Sequence, residues 1–202
     1  MSSSNKPSWV HAAVLGIFCL GFGAMLALTN ELTSDEIKAR RIEDKQNSLA
    51  QVIPAAIHDN NPVTDVVTLV NDEGKDITVY RATMGGKVSG VAYEITGSGY
   101  AGEIKLMIGV AADGQVLGVR AIAHKETPGL GDKINVEKTD WITRFTGLSL
   151  GNPPVDKWKV KKDGGVFDQF SGATITPRGV VLAIRKGLEF FDAHKAQMLE
   201  IR

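Results

Sequence analysis

The residue types best suited to chemistry lie together near the C-terminus, in Asp168-Gln169-Phe170-Ser171-Gly172-Ala173-Thr174, with Thr176-Pro177 just beyond. Pro177 suits the first position of a helix, where its missing N–H is no loss, and Thr176 then reads as the N-cap. Val180, Ile184, Leu188 and Phe191 recur at helical spacing, with Arg185, Lys186, Glu189 and Asp192 off that stripe, which predicts a helix to about Leu199. Thr174 would sit just outside its N-terminus, where unpaired N–H groups and the macrodipole favour an anion. A phosphodiester on the Thr174 hydroxyl would be stabilised there. Gly172 and Ala173 leave room for a bulky group. Ser171, Thr174 and Thr176 are also common cap and turn residues, and the segment by itself leaves that alternative standing.

Other chemistries find less support. Ser171 has no G-x-S-x-G elbow around it, so a hydrolase is not expected. His124-Lys125-Glu126 offers two possible ligands with no second pair nearby, and His58 and His194 stand alone, so no metal centre is expected. No Walker loop or GxGxxG is present. The one cysteine, Cys19, permits neither an internal disulfide nor a thiolate metal site. Charge balances at 23 basic and 23 acidic residues, and without residues 1–30 (where Lys6 is the single charge) 22 basic face 23 acidic. A nucleic-acid surface would need a basic excess.

The elements that must position Thr174 follow from patterning. Trp9 to Leu28 carries no charge, enough for a helix of roughly 30 Å, one hydrocarbon core. Ala27-Leu28-Thr29 is a poor cleavage site, so an uncleaved anchor is expected rather than a signal peptide. Ala12, Gly16, Cys19, Gly23 and Ala27 share a helical face, which suits close packing by another membrane helix. Thr33-Ser34-Asp35-Glu36 matches a capping box and predicts a separate juxtamembrane helix ending near Pro54. Residues 59–65 read as a loop. Short β-type runs follow at Val66–Val70, Ile77–Thr83, Val88–Thr96, Glu103–Val110 and Gln115–His124. In the last pair, Ile104, Leu106, Ile108 and Val110 alternate with Glu103, Lys105, Met107 and Gly109, giving a hairpin with one face inward. Gly97, Gly99, Tyr100 and Gly102 suggest a bend or a close backbone approach. The fold class is therefore α+β: a single transmembrane helix, then an antiparallel-sheet domain with flanking helices. The expected organisation is a tail over 1–8, the transmembrane helix over 9–29, a juxtamembrane linker over 30–57 and a soluble domain over 58–202.

Gly97-Ser98-Gly99-Tyr100-Ala101-Gly102, Leu117-Gly118-Val119-Arg120 and His124-Lys125-Glu126-Thr127-Pro128-Gly129-Leu130-Gly131, taken with the anchor and Ser171-Gly172-Ala173-Thr174, resemble the RnfG (RsxG) family, the G subunits of Rnf-type electron transport complexes. NqrC, the equivalent subunit of sodium-pumping NADH:quinone oxidoreductases, is a similar alternative, as is a non-turnover FMN-binding scaffold or sensor module. The resemblance implies FMN joined to Thr174 by a phosphoester, with a flavin transferase as the loading partner and Asp168, Ser171, Gly172 and Ala173 shaping the loop. It also implies that Glu126, Thr127, Gly129 and Leu130 form a rigid loop against the flavin ring, on which Tyr100 or Trp141 could stack. The protein would be a single-pass subunit of the bacterial inner membrane with a periplasmic soluble domain. In a complex of six subunits it would relay electrons between NADH and ferredoxin, coupled to ion translocation, without a catalytic site of its own.

Overall fold

A computed structural model describes residues 8–71 and 74–200, in the two units 1–44 and 45–202. The first seven residues of the expected tail lie outside the described residues.

The helix α1, Ser8–Ala50, is continuous. In the first unit its apolar stretch Trp9–Ser34, of mean hydropathy 2.2, is long and apolar enough to cross a membrane. The helix does not restart at Thr33, as the capping-box pattern predicts. Thr33 instead donates its hydroxyl to the Thr29 carbonyl at 2.8 Å. An uninterrupted helix already supplies acceptors for the N–H groups that a cap would satisfy, so the pattern has nothing to cap.

The second unit is built on a five-stranded antiparallel meander in chain order: β1 Val66–Val70, β2 Asp76–Met84, β3 Lys87–Ser98, β4 Glu103–Ala111 and β5 Val116–Ala123. The helix α2, Ile175–Leu199, covers one face. Its Val180, Ile184, Leu188 and Phe191 are buried against Ile95, Leu106, Ile108 and their neighbours. Helix and sheet touch where side chains are smallest: a Cβ on Gly97 would lie 3.1 Å from the Gly179 carbonyl oxygen. Tyr93 donates its hydroxyl to the Gly187 carbonyl at 2.8 Å. Burial pushes this phenol far above its ordinary range, so it stays a neutral donor.

The β4–β5 hairpin buries more than the single face its alternation predicts. Met107 is 5% exposed and packs with Tyr80, Ala82 and Ala92 against Leu49, Val52 and Ile53. The paired Gly109 and Gly118 open a slot for this segment, the Val52 Cα lying 3.1 Å from where a Gly118 Cβ would stand. The stretch read as a linker thus supplies three side chains to a second apolar cluster, and the sheet is covered on both faces.

Between β5 and α2 the chain forms short 3-10 turns at Gly131–Ile134, Trp141–Phe145, Val155–Lys157 and Lys161–Asp163. An aromatic raft holds them: ring centroids lie 5.2 Å apart for Trp141–Phe145, 5.1 Å for Trp141–Phe170, 4.7 Å for Phe145–Phe167 and 5.2 Å for Trp158–Phe167. Edge-to-face and offset pairs of this kind each add about 0.5–1.5 kcal/mol beyond the area they bury.

Candidate functional site

The segment around Thr174 begins on the raft. Asp168 accepts the Trp141 indole N–H through its backbone carbonyl at 2.8 Å. Its carboxylate pairs with Lys161 at 2.6 Å and Arg144 at 3.0 Å. The Lys161 hydrogen bond, together with both positive charges, holds the Asp168 carboxyl below the usual carboxylate range. Phe170 then opens a turn closed by the Ala173 N–H on its carbonyl at 3.1 Å. Gly172 takes φ +78° at the third position, where a type II turn requires a residue of this freedom.

The turn delivers Thr174 to the N-cap of α2. Thr176 is not the cap that the Thr-Pro pair predicts, because the helix begins at Ile175 and encloses it. Thr176 is fully buried and donates its hydroxyl to Glu126 Oε2. The three hydroxyls of the segment therefore differ in kind. Ser171 is exposed, Thr176 is buried and committed, and Thr174 is half-exposed with a side chain that makes no capping hydrogen bond. By helix geometry the N–H groups of Ile175 and Thr176 have no intrahelical acceptor, and Pro177 has no N–H. Arg178 adds a positive charge in the same first turn, held by two hydrogen bonds to Asp163 at 2.6 and 2.8 Å.

Glu126 joins three parts of the chain. It is 6% exposed. Oε1 accepts the Ala101 N–H at 2.9 Å, and Oε2 accepts the Thr176 hydroxyl. A Cβ on Gly99 or Gly131 would collide with this carboxylate, so both glycines let the backbone close on it. The strand-end turn at 98–102, the 126–131 loop and the start of α2 are thereby fastened at one buried group. His124 braces the loop: its Nδ1 accepts the Glu126 N–H at 3.1 Å, and Nε2 meets Asn135 Oδ1 at 3.1 Å. Since a backbone N–H only donates, Nδ1 is the acceptor in the first of these contacts.

The two sequence motifs therefore meet. Leu130 Cδ2 lies 3.6 Å from where a Gly172 Cβ would stand, so the 126–131 loop rests on the 170–174 turn. Gly129 takes φ +78°, and the Leu130 N–H bonds the Thr127 carbonyl at 3.1 Å, keeping the loop compact. Tyr100 is 74% exposed, Ile175 46% and Leu130 42%. Each is one residue from a group packed on Glu126, so three exposed apolar side chains surround the same node. Trp141 is placed differently, 5% exposed among Phe145 and Phe170 beneath the loop. The raft, the His124 brace and the buried state of Glu126 are not visible from local patterning, because each depends on partners distant in the chain.

A family model described as an FMN-binding domain matches residues 99–189, the span holding both loops, and one described as the RnfG N-terminal region matches residues 1–52. The chain is 53% identical over 190 residues to a Cereibacter sphaeroides protein named as the G subunit of an ion-translocating oxidoreductase complex, covering 94% of this chain and 87% of that one. It is 45% identical over 193 residues to the Vibrio cholerae protein of the same name, covering 93% and 92%. Among solved structures, Shewanella oneidensis NqrC is similar in fold, with a TM-score of 0.59 at 22% identity over 79% of this chain and 98% of that one. The corresponding NqrC-type protein of the Na(+)-translocating NADH-quinone reductase of Parabacteroides distasonis has a TM-score of 0.55 at 18% identity, over 81% and 96%.

Proposed function

The chain belongs to the RnfG family, the G subunits of ion-translocating oxidoreductase complexes, and from that membership we propose that it carries FMN as a phosphoester on Thr174 and relays electrons within such a complex. The observation that supports this most is the state of the Thr174 hydroxyl: half-exposed, at the positive end of a 25-residue helix, and making no capping bond. A phosphodiester there keeps one negative charge, which the helix terminus stabilises by about 0.3–1 kcal/mol at an exposed site.

The surrounding residues suit the rest of the cofactor. Gly172 and Ala173 leave the approach open, and Leu130, Ile175 and Tyr100 offer apolar surface to a planar ring. The raft beneath Asp168 and the Glu126 node hold these groups in register, so a ring seated on them would keep one orientation toward its neighbours. When bound, FMN would supply the redox chemistry of the relay. The chain's part is to fix, orient and present it.

Loading is assigned to a flavin transferase using FAD. Thr174 would supply the hydroxyl that is esterified to the flavin-side phosphate, with AMP as the leaving group and the hydroxyl proton passing to a base. We place the protein in an assembly of six subunits connecting NADH and ferredoxin to ion translocation. Its apolar stretch Trp9–Ser34 would cross the inner membrane once, with the soluble unit periplasmic.

The test is flavin fluorescence at the protein's band on a denaturing gel after co-expression with the transferase. Thr174→Ala abolishes the signal, whereas Thr176→Ser, which keeps a hydroxyl for Glu126, retains it. Full fluorescence from the Thr174 variant would overturn the assignment.

A further inference from the structure

The sheet ends on two strands that are finished differently. β5 is tied down at its outer edge, where the Val116 N–H donates to the Leu148 carbonyl and the Val116 carbonyl accepts the Gly147 N–H, both at 2.8 Å. β1 lies at the other end of the strand order, with no further strand beyond it among the described residues. Its run Val66-Val67-Thr68-Leu69-Val70 holds no charge, proline or register shift, the devices that usually keep an edge from pairing. The hydrogen bonds fix which groups face outward. The Arg81 N–H donates to the Asp65 carbonyl and the Asn71 N–H to the Lys75 carbonyl, which marks 65/81 and 71/75 as hydrogen-bonded pairs of the antiparallel β1–β2 ladder. Alternation gives 67/79 and 69/77 the same role, so the N–H and carbonyl of Val66, Thr68 and Val70 point away from β2. Val66 is 45% exposed and Val70 54%. Against the strand lies a groove of about 540 Å³, whose lining includes Val67, Leu69, Arg81, Gln197 and Glu200.

A strand added here must offer its own free backbone groups at the same spacing and bring no clashing charge. A second copy of β1 does so by symmetry. Laid antiparallel about Thr68, Val66 faces the partner's Val70, Thr68 faces the partner's Thr68, and Val70 faces the partner's Val66. Each of these pairs of outward-facing residues can exchange two hydrogen bonds. A slip of one residue sets free groups against committed ones, and a slip of two leaves only two such pairs. The flanking Asp65 meets the partner's Asn71, so no like charges oppose, and threonine opposite threonine is a favourable cross-strand pair. Val67 and the partner's Leu69 come side by side at the groove, each adding apolar cover to the other. We infer that β1 is the isologous contact of a homodimer, joining two five-stranded sheets into one across the Thr68 pair. The inference needs no flavin and stands apart from the reading of Thr174.

The test uses the full chain in its native membranes, with Cys19→Ser removing the existing thiol. A hydrogen-bonded antiparallel pair holds its Cα atoms about 5.5 Å apart, inside the roughly 4.4–6.8 Å that a disulfide bridges. Thr68→Cys, oxidised and run on a non-reducing gel, gives a band at twice the chain's mass. Val66→Cys and Val70→Cys alone each stay single, because like positions in the two copies stand roughly 14 Å apart along the strands. A chain carrying both substitutions cross-links. Adding Thr68→Lys to that double variant puts like charges on the two-fold axis and lowers its cross-linking several-fold. No dimer band from Thr68→Cys, or equal bands from the single Val66 and Val70 variants, would overturn the inference. A disulfide joining Thr68→Cys to a different subunit would give the edge to that subunit and overturn it as well.

Discussion

Thr174 and Thr176 are the same residue type two positions apart, and the fold puts them to opposite uses. Thr176 is enclosed and gives its hydroxyl to Glu126, fifty residues earlier in the chain, while Thr174 stays half-exposed and uncommitted. The sequence makes Thr176 look like the cap because Thr-Pro is a strong local signal, yet a buried carboxylate with few donors outweighs it. That partner is invisible to any short window. Replacing Thr176 by Val keeps shape and removes the donor, leaving Glu126 Oε2 buried without it. We expect a loss of about 1–3 kcal/mol in urea unfolding of the sheet-bearing unit, and no measurable loss would mean that the hydrogen bond does not hold the site together. Gly172, which the sequence marks only as a small residue leaving room, makes a turn set within four residues, with φ +78°.

At the scale of elements, the strands are where patterning served best. Val66–Val70 is a strand with the bounds its residues suggest, and β2 to β5 differ from their predicted limits by a few residues. Alternation reports whether a side chain meets an apolar neighbour, but not which element supplies it. Met107 and Gly109 therefore gave no hint that residues 49–53 would cover the second face. The run from 131 to 167 was unreadable, because 3-10 turns lack a sustained period and aromatic pairs such as Phe145–Phe167 are set by three-dimensional contact. A direct check of the second face is Gly109→Ala, whose Cβ would collide with the Val52 carbonyl. Overpacking of this kind costs about 1–3 kcal/mol. The expected outcome is a lower urea midpoint and faster amide exchange confined to residues 49–53. Wild-type exchange there would show that the slot is not needed.

For the whole molecule, the chain joins an apolar helix to a domain whose loops converge on one hydroxyl. A member of a membrane complex must meet its partners somewhere, and Ala12, Gly16, Cys19, Gly23 and Ala27 put small residues on one face of the apolar stretch, with nothing within 4 Å of where a Cβ on Gly16 or Gly23 would stand. Small residues allow helices in a membrane to approach closely. Gly16→Leu with Gly23→Leu is therefore expected to reduce co-purification of the other subunits several-fold, with the sheet-bearing unit unfolding as before. Unchanged co-purification would move the contact elsewhere. FMN on Thr174 is best checked by the intact mass of the protein purified from its native host. The expected mass exceeds that of the polypeptide by one FMN less one water, with fragmentation placing the increment on Thr174. The mass of the bare polypeptide, or an increment on another residue, would contradict it.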